Sequence, residues 1–133
     1  MNEAINRYLE KHGFEQLCLK AVLFDMDGVI YDSMPNHARS WHQAMETVGI
    51  HMEESEAYLY EGMRGVETIK LKARQQWGRE ISDEEAKHMY DIKATVFSQC
   101  PPALKMKGIE ELMRQIKDDG LKICVVTGSG QRT

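Results

Sequence analysis

Cysteine is scarce in this chain and its spacing is irregular. Cys18, Cys100 and Cys124 lie far apart, without the close pairs of a zinc site or a disulfide framework. They read as reduced thiols of a cytoplasmic protein. Long apolar runs are also missing. None approaches the roughly 20 residues of a membrane span, and residues 1–10 hold no signal-peptide apolar core, which argues against secretion. Basic charge is not in excess: 17 Lys and Arg stand against 21 Asp and Glu, a net charge of −4. With no basic stripe and no interleaved aromatics, nothing points to nucleic acid. What remains is 133 residues, 42% hydrophobic and 29% charged, the balance of about one soluble globular domain with a small insert.

The chain is organised around Leu23-Phe24-Asp25-Met26-Asp27-Gly28-Val29. The apolar run Leu19–Phe24 predicts a strand of the kind buried on both faces of a parallel sheet. Asp25 and Asp27 follow it, two residues apart, so in extended backbone they face the same side. Paired carboxylates repel unless a cation or a shared proton neutralises them, which points to metal chemistry, acid/base chemistry or both.

Before this strand, Ile5, Tyr8, Leu9 and His12 fall at helical spacing ahead of Gly13, predicting a short packing helix. After it, Tyr31-Asp32-Ser33-Met34-Pro35 is a polar, proline-bearing linker. Met34, Ala38, Trp41, Met45 and Val48 then follow the 3.6-residue period up to Gly49. A second helix is expected within 52–60, and a third through Val66, Ile69, Ala73 and Trp77. Ser82 with Glu85 three residues on forms a capping-box pattern that opens a fourth, with Ala86, Met89, Tyr90, Val96 and Phe97 inward. Cys100-Pro101-Pro102 closes this block. Most of the nine methionines fall within it and read as core filler, as do Trp41 and Trp77. A further amphipathic helix over 107–119 leads through Gly120 to an apolar strand, 121–126, and then to Thr127-Gly128-Ser129-Gly130.

Strand, crossover and strand make a parallel pair. The expected architecture is α/β: an incomplete Rossmann-like parallel-sheet core with an inserted helical-bundle cap. Its parts are an N-terminal helix and first strand (1–33), the cap (34–100), and a core helix with the second strand (101–133). Ligands of such sheets bind beyond the carboxyl ends of the strands, where Asp25, Asp27, Thr127 and Ser129 all fall. A carboxylate can carry a phosphoryl group, a Thr hydroxyl and the amides of a Gly-rich turn suit phosphate oxygens, and magnesium suits the carboxylates.

Asp25-Met26-Asp27-Gly28-Val29 with Asp32-Ser33, a helical insert, and Val125-Val126-Thr127-Gly128-Ser129 together resemble the haloacid dehalogenase-like superfamily over about residues 18–133. The branch resembled has a helical cap after the first strand and holds β-phosphoglucomutases and small-metabolite phosphatases. That resemblance implies Asp25 as the nucleophile that becomes phosphorylated. It implies Asp27 as general acid/base, both residues serving Mg2+ (Asp27 through its backbone carbonyl), and Thr127 with the amides of Gly128 and Ser129 as holders of the phosphoryl group; the Ser129 hydroxyl reads as a phosphate contact against a shaper of the turn. Dehalogenases generally lack an acid at the position of Asp27, so phosphoryl transfer is favoured. Relatives carry a His matching His37, which reads as a substrate or hinge contact against an ordinary helix-surface His. Arg64, in the Gly62–Gly65 loop, reads as a contact to a second anionic group against a solvated charge. His42, His51 and His88 read as surface residues. Mutases of the branch carry a Lys before the loop glycine and an Arg three residues after it. Glu61 and Gly65 stand there, which argues against mutase activity.

The family's later motifs, a Lys and an acidic pair, are expected beyond residue 133, so the chain reads as the N-terminal part of a longer enzyme, weak in magnesium binding and inactive alone. The expected function is a Mg-dependent phosphatase acting on a small phosphorylated metabolite through an aspartyl-phosphate. The alternatives are a β-phosphoglucomutase and a non-catalytic phosphometabolite-binding module.

Overall fold

The computed structural model describes residues 2–16 and 19–130; Cys18 lies outside them. The order of elements is α1 (Asn2–His12), β1 (Ala21–Phe24), α2 (Met34–Thr47), α3 (Glu56–Leu59), α4 (Gly65–Trp77), α5 (Asp83–Ser98), α6 (Ile109–Asp118) and β2 (Lys122–Val125). The two strands pair in parallel, with Ala21 opposite Lys122 and Phe24 opposite Val125. The crossover between them contains every helix after α1, and the Rossmann-like α/β reading holds.

Two separate apolar clusters divide the interior. One lies among α2–α5, centred on Met45, Ile50, Met52, Ile69 and Ala73, with Trp41 and Trp77 packed at its side. The other joins Phe24 and Ile30 to Ile109 and Ile116 of α6, with Val22 and Ile123 alongside. Side chains alternate across a strand, so Val22 and Phe24 face α6 while Leu23 faces away and is 66% exposed. The composition of β1 is that of a strand buried on both faces, but a pair of strands leaves one face poorly covered, as expected of an incomplete core. A two-stranded sheet covered by one helix has one open face, whatever its composition. The N-terminal helix departs from its expected packing role: Tyr8 and Phe14 are exposed, and the rings of Tyr8, His12 and Phe14 gather at the helix's own C-terminal end.

Local chemistry explains most boundaries. Gly78, at φ 66°, closes α4 in the left-handed conformation, which glycine adopts without strain. Ser82 accepts from the Glu85 N–H at 3.1 Å and so caps α5. The Glu85 carboxylate turns instead to Arg79, at 2.7 Å, so the box forms by half. The helix expected over 52–60 shrinks to the single turn of α3. Side chains bond the preceding backbone instead: the Gln76 amide pairs with both backbone groups of His51, and His42 Nδ1 lies 2.8 Å from the Met52 carbonyl.

The two connections between bundle and sheet run side by side. Asp32 N–H donates to the Leu104 carbonyl at 2.7 Å, Met106 N–H to Ile30 at 2.9 Å, and the Asn36 amide to Pro101 at 2.8 Å. The paired connections hold the first turn of α2 against the carboxyl end of β1. Among the described residues no helix is long and apolar enough to cross a membrane.

Candidate active site

Asp25 leaves the end of β1 and stays exposed, its Oδ1 accepting from the Met26 N–H at 2.7 Å. Gly28, at φ 71°, then turns the backbone back. The Met26 carbonyl collects the N–H groups of Ile30 and Tyr31 at 2.9 and 3.0 Å, and Gly28 N–H donates to Tyr31. This knot fixes Asp27 beneath the N-terminus of α2.

Asp27 is enclosed by hydroxyls. Ser33 Oγ donates to its Oδ1 at 2.5 Å, and Ser129 Oγ, arriving from beyond β2, donates to its Oδ2. Ser33 occupies the cap position of α2 yet makes no side-chain cap bond, because its hydroxyl is committed to the carboxylate. A cap of that kind contributes about 1 kcal/mol, so helix stability is given up for position. Burial alone would raise the Asp27 carboxyl; the hydroxyls of Ser129 and Ser33, with His37 beside them, outweigh it and hold it below the ordinary value. The N-terminal turn of α2 adds a favourable dipole.

His37 is 8% exposed, which removes its reading as a surface histidine. Its Nε2 lies 3.2 Å from Asp27 Oδ1 but at an angle too poor for a directed hydrogen bond. Its Nδ1 lies 2.8 Å from the Lys93 ammonium. Lysine is only a donor, so the network assigns Nδ1 as acceptor and the proton to Nε2. Burial, then the neighbouring Lys93 charge, lowers the His37 pKa against the pull of Asp27. Lys93 itself is 1% exposed, with its ammonium 4.8 Å from the Phe97 ring centroid, 5.4 Å from Trp41 and 5.7 Å from Tyr90. Burial pushes its pKa down to about 8, while Asp27 and Cys100 act in the opposite sense. An anion, an imidazole and a cation thus form one line from the sheet's end into the bundle.

Asp25, Asp27, His37, Lys93, Gly128 and Ser129 all line one cleft of about 110 Å³, and Glu61 and Arg64 line its wall from the α3–α4 loop. The fold therefore gathers the predicted residues from both strands and from the helical insert. Thr127 is outside that lining; its Oγ1 accepts from the Ser129 N–H at 3.1 Å and shapes the turn. Gly65, opening α4, lies so close to Tyr90 that an added Cβ would sit 2.1 Å from the ring's Cε2. His51 and His88 are exposed and His42 half-buried. Cys100 and Cys124 are free thiols.

Sequence reasoning missed Lys93, although a signal was present. Ala86, Met89, Tyr90, Val96 and Phe97 trace the inner stripe of α5, and Lys93 falls at the centre of that stripe. A lysine there needs a partner.

A strand pair with helices inserted behind the first strand and two aspartates at its carboxyl end is the arrangement of a phosphate-handling hydrolase class. A family model described as haloacid dehalogenase-like hydrolase matches residues 19–133, and the chain belongs to that family. Among solved structures, a protein from Bacteroides vulgatus provisionally named a β-phosphoglucomutase is 50% identical, with a TM-score of 0.90 over 96% of this chain and 53% of that one. A family IA, variant 3 hydrolase from Entamoeba histolytica is 27% identical, with a TM-score of 0.66 over 84% of this chain and 50% of that one. A β-phosphoglucomutase from Clostridium difficile, 24% identical with a TM-score of 0.65 over 81% and 51%, is alike in fold. The chain spans about half the length of the structures it matches.

Proposed function

We propose that this chain carries the nucleophile and the acid/base of a magnesium-dependent phosphatase that acts on a small phosphorylated metabolite. The observation that carries the reading is the unequal treatment of two aspartates two residues apart. Asp25 is exposed at the cleft with an oxygen free to attack, whereas Asp27 has both oxygens held by hydroxyls. A free carboxylate suits a nucleophile; an oriented one suits proton transfer.

Binding of the anionic phosphate beside Asp27 raises that carboxyl's proton affinity, so it takes up a proton from solvent; in the first step an Asp25 oxygen then bonds to phosphorus, the ester P–O bond breaks, and the leaving oxygen takes that proton from Asp27. In the second, water attacks the aspartyl-phosphate and gives its proton to Asp27. Inorganic phosphate leaves and Asp25 is restored. Ser129 and Ser33 hold Asp27 through both steps, and His37 supplies a polarised N–H beside the same oxygen. Gly128 and Ser129 line the cleft that receives the transferred group.

Magnesium fits the hard oxygen donors present, Asp25 and Asp27, as an ion that keeps several waters. Among the described residues no group of three acidic, His or Cys side chains forms a closed cage. When bound, the ion would offset the repulsion between the carboxylates and an anionic phosphate.

The test is phosphate release from a generic aryl phosphate with magnesium, using the intact polypeptide that carries this sequence. Asp25→Asn is expected to lower turnover by roughly a thousandfold or more. Activity that survives the substitution removes the nucleophile assignment. The 50% identity to the B. vulgatus protein favours a second reading, a β-phosphoglucomutase. There Asp25 passes the phosphoryl group to a sugar hydroxyl, and hexose phosphate isomerisation would exceed phosphate release.

A further inference from the structure

The connection between α2 and α3 is held by one imidazole placed between two carboxylates. His51 Nδ1 lies 2.8 Å from Glu46 Oε1, on the last turn of α2, and its Nε2 lies 3.0 Å from Glu53 Oε1, just ahead of α3. A neutral imidazole carries a single N–H and can donate to one of the two. Its other nitrogen would then turn a lone pair toward a carboxylate oxygen. Both contacts hold together only in the imidazolium, so the geometry itself calls for the charged form. The hydrogen bond to Glu46 is the largest cause raising the His51 pKa; desolvation opposes it, and the charges of Glu46 and Glu53 add to it.

The array leads on to the cleft. The Glu53 N–H donates to Glu56 Oε2 at 2.9 Å, and the Glu53 carbonyl accepts the Glu56 N–H at 3.0 Å, which closes the start of α3. Glu56 Oε1 accepts from the buried Lys72 ammonium of α4 at 2.6 Å. Ala57 of α3 and Tyr60 at its end line the cleft. Among the described residues, the charged groups that face His51 are Glu46 from α2, Glu53 from its own segment and Glu56 from α3. From α4 it meets the uncharged Gln76 amide, while Lys72 is taken by Glu56.

We propose that Glu46, His51 and Glu53 form a pH-sensitive latch: the imidazolium ties the start of α3 to the end of α2, and loss of its proton to solvent frees the turn that carries one wall of the cleft. His51 is exposed, so solvent protons reach it directly. Because folding raises its pKa, the stabilisation is complete below the ordinary 6.5 and is lost as the pH rises through the folded-state value. The latch is independent of the phosphoryl-transfer reading, since it concerns the wall and not the reacting groups.

The test uses the intact polypeptide without substrate. NMR of the His51 ring, assigned by its loss in His51→Gln, gives the midpoint. Amide hydrogen exchange, corrected for the intrinsic pH dependence of the chemical step, gives protection at Glu56, Ala57 and Tyr60. The midpoint is expected above 6.5. Protection at the three amides should fall about threefold between about pH 6 and about pH 9, the size of one or two exposed charge pairs. His51→Gln should show the low protection at both pH values. His51→Arg, whose fork stays charged and can reach both carboxylates, should keep the high protection at the upper one. Lys93 titrates in the same range, but equally in all three proteins, so its effect cancels between them. A native midpoint at or below 6.5, or native protection that does not change with pH, overturns the latch. So does a fall as large in His51→Gln or His51→Arg as in the native protein.

Discussion

Replacing Lys93 by Met removes a buried charge while keeping an unbranched chain of similar volume. The fall of its pKa from 10.5 to about 8 corresponds to a cost on the order of 3 kcal/mol for holding the ammonium inside the fold. Below pH 8 both folded and unfolded chains carry the proton, so the whole cost is present at pH 7. Between about 8 and 10.5 the unfolded chain binds the proton and the folded one does not, so stability rises with pH and the cost disappears. Against this, Met forfeits the bond to His37 Nδ1, about 1 kcal/mol, and the ring contacts of the ammonium, about 1 kcal/mol together. The variant should therefore be more stable than the native protein by roughly 1 kcal/mol at pH 7, and the gain should vanish or change sign by pH 10. Urea unfolding followed by tryptophan fluorescence at pH 7, 8, 9 and 10 measures this, since Trp41 and Trp77 both pack on the bundle core. Exposed lysines titrate equally in both proteins and cancel in the difference. A variant less stable by more than 1 kcal/mol at pH 7, or a difference independent of pH, would refute the reasoning. In either case phosphate release should fall, because His37 loses the group that fixes its tautomer.

The same array predicts the behaviour of His37. Its ring should titrate below the ordinary 6.5, so that stability declines as the pH drops from 6.5 toward the folded-state value. The ring-proton NMR shift follows it directly, and Lys93→Met should move the midpoint upward by removing the adjacent charge; a fixed midpoint would show that the two groups are not coupled. Gly65→Ala drives a methyl into the Tyr90 ring and should cost about 1–3 kcal/mol, measured as a lowered urea midpoint. Combining it with Tyr90→Ala should recover most of that loss relative to Tyr90→Ala alone, and an undiminished cost would place the strain elsewhere.

Much of the fold was legible because its signals are local. The 3.6-residue stripes of α2, α4 and α5, the Ser82 cap, and the apolar runs before Asp25 and Thr127 depend on residues a few positions apart. The Asp25–Asp27 pair was legible for the same reason, since a spacing of two is a direct statement about backbone geometry. Burial was less so. Leu23 has the composition of a core residue, yet its exposure depends on what lies beside the strand, and its own segment does not encode that.

By itself, the sequence determined the parallel strand pair, the helical insert and the two carboxylates at a strand's end. The tertiary structure alone decided how those carboxylates differ. Ser129 reaches Asp27 across 102 positions and Lys93 reaches His37 across 56, separations over which no periodicity operates. Only the crossover and the paired connections bring them within hydrogen-bonding distance. Electrostatic effects on protonation require that closeness and the exclusion of water, so the division between a free carboxylate and a held one exists only once the chain has folded.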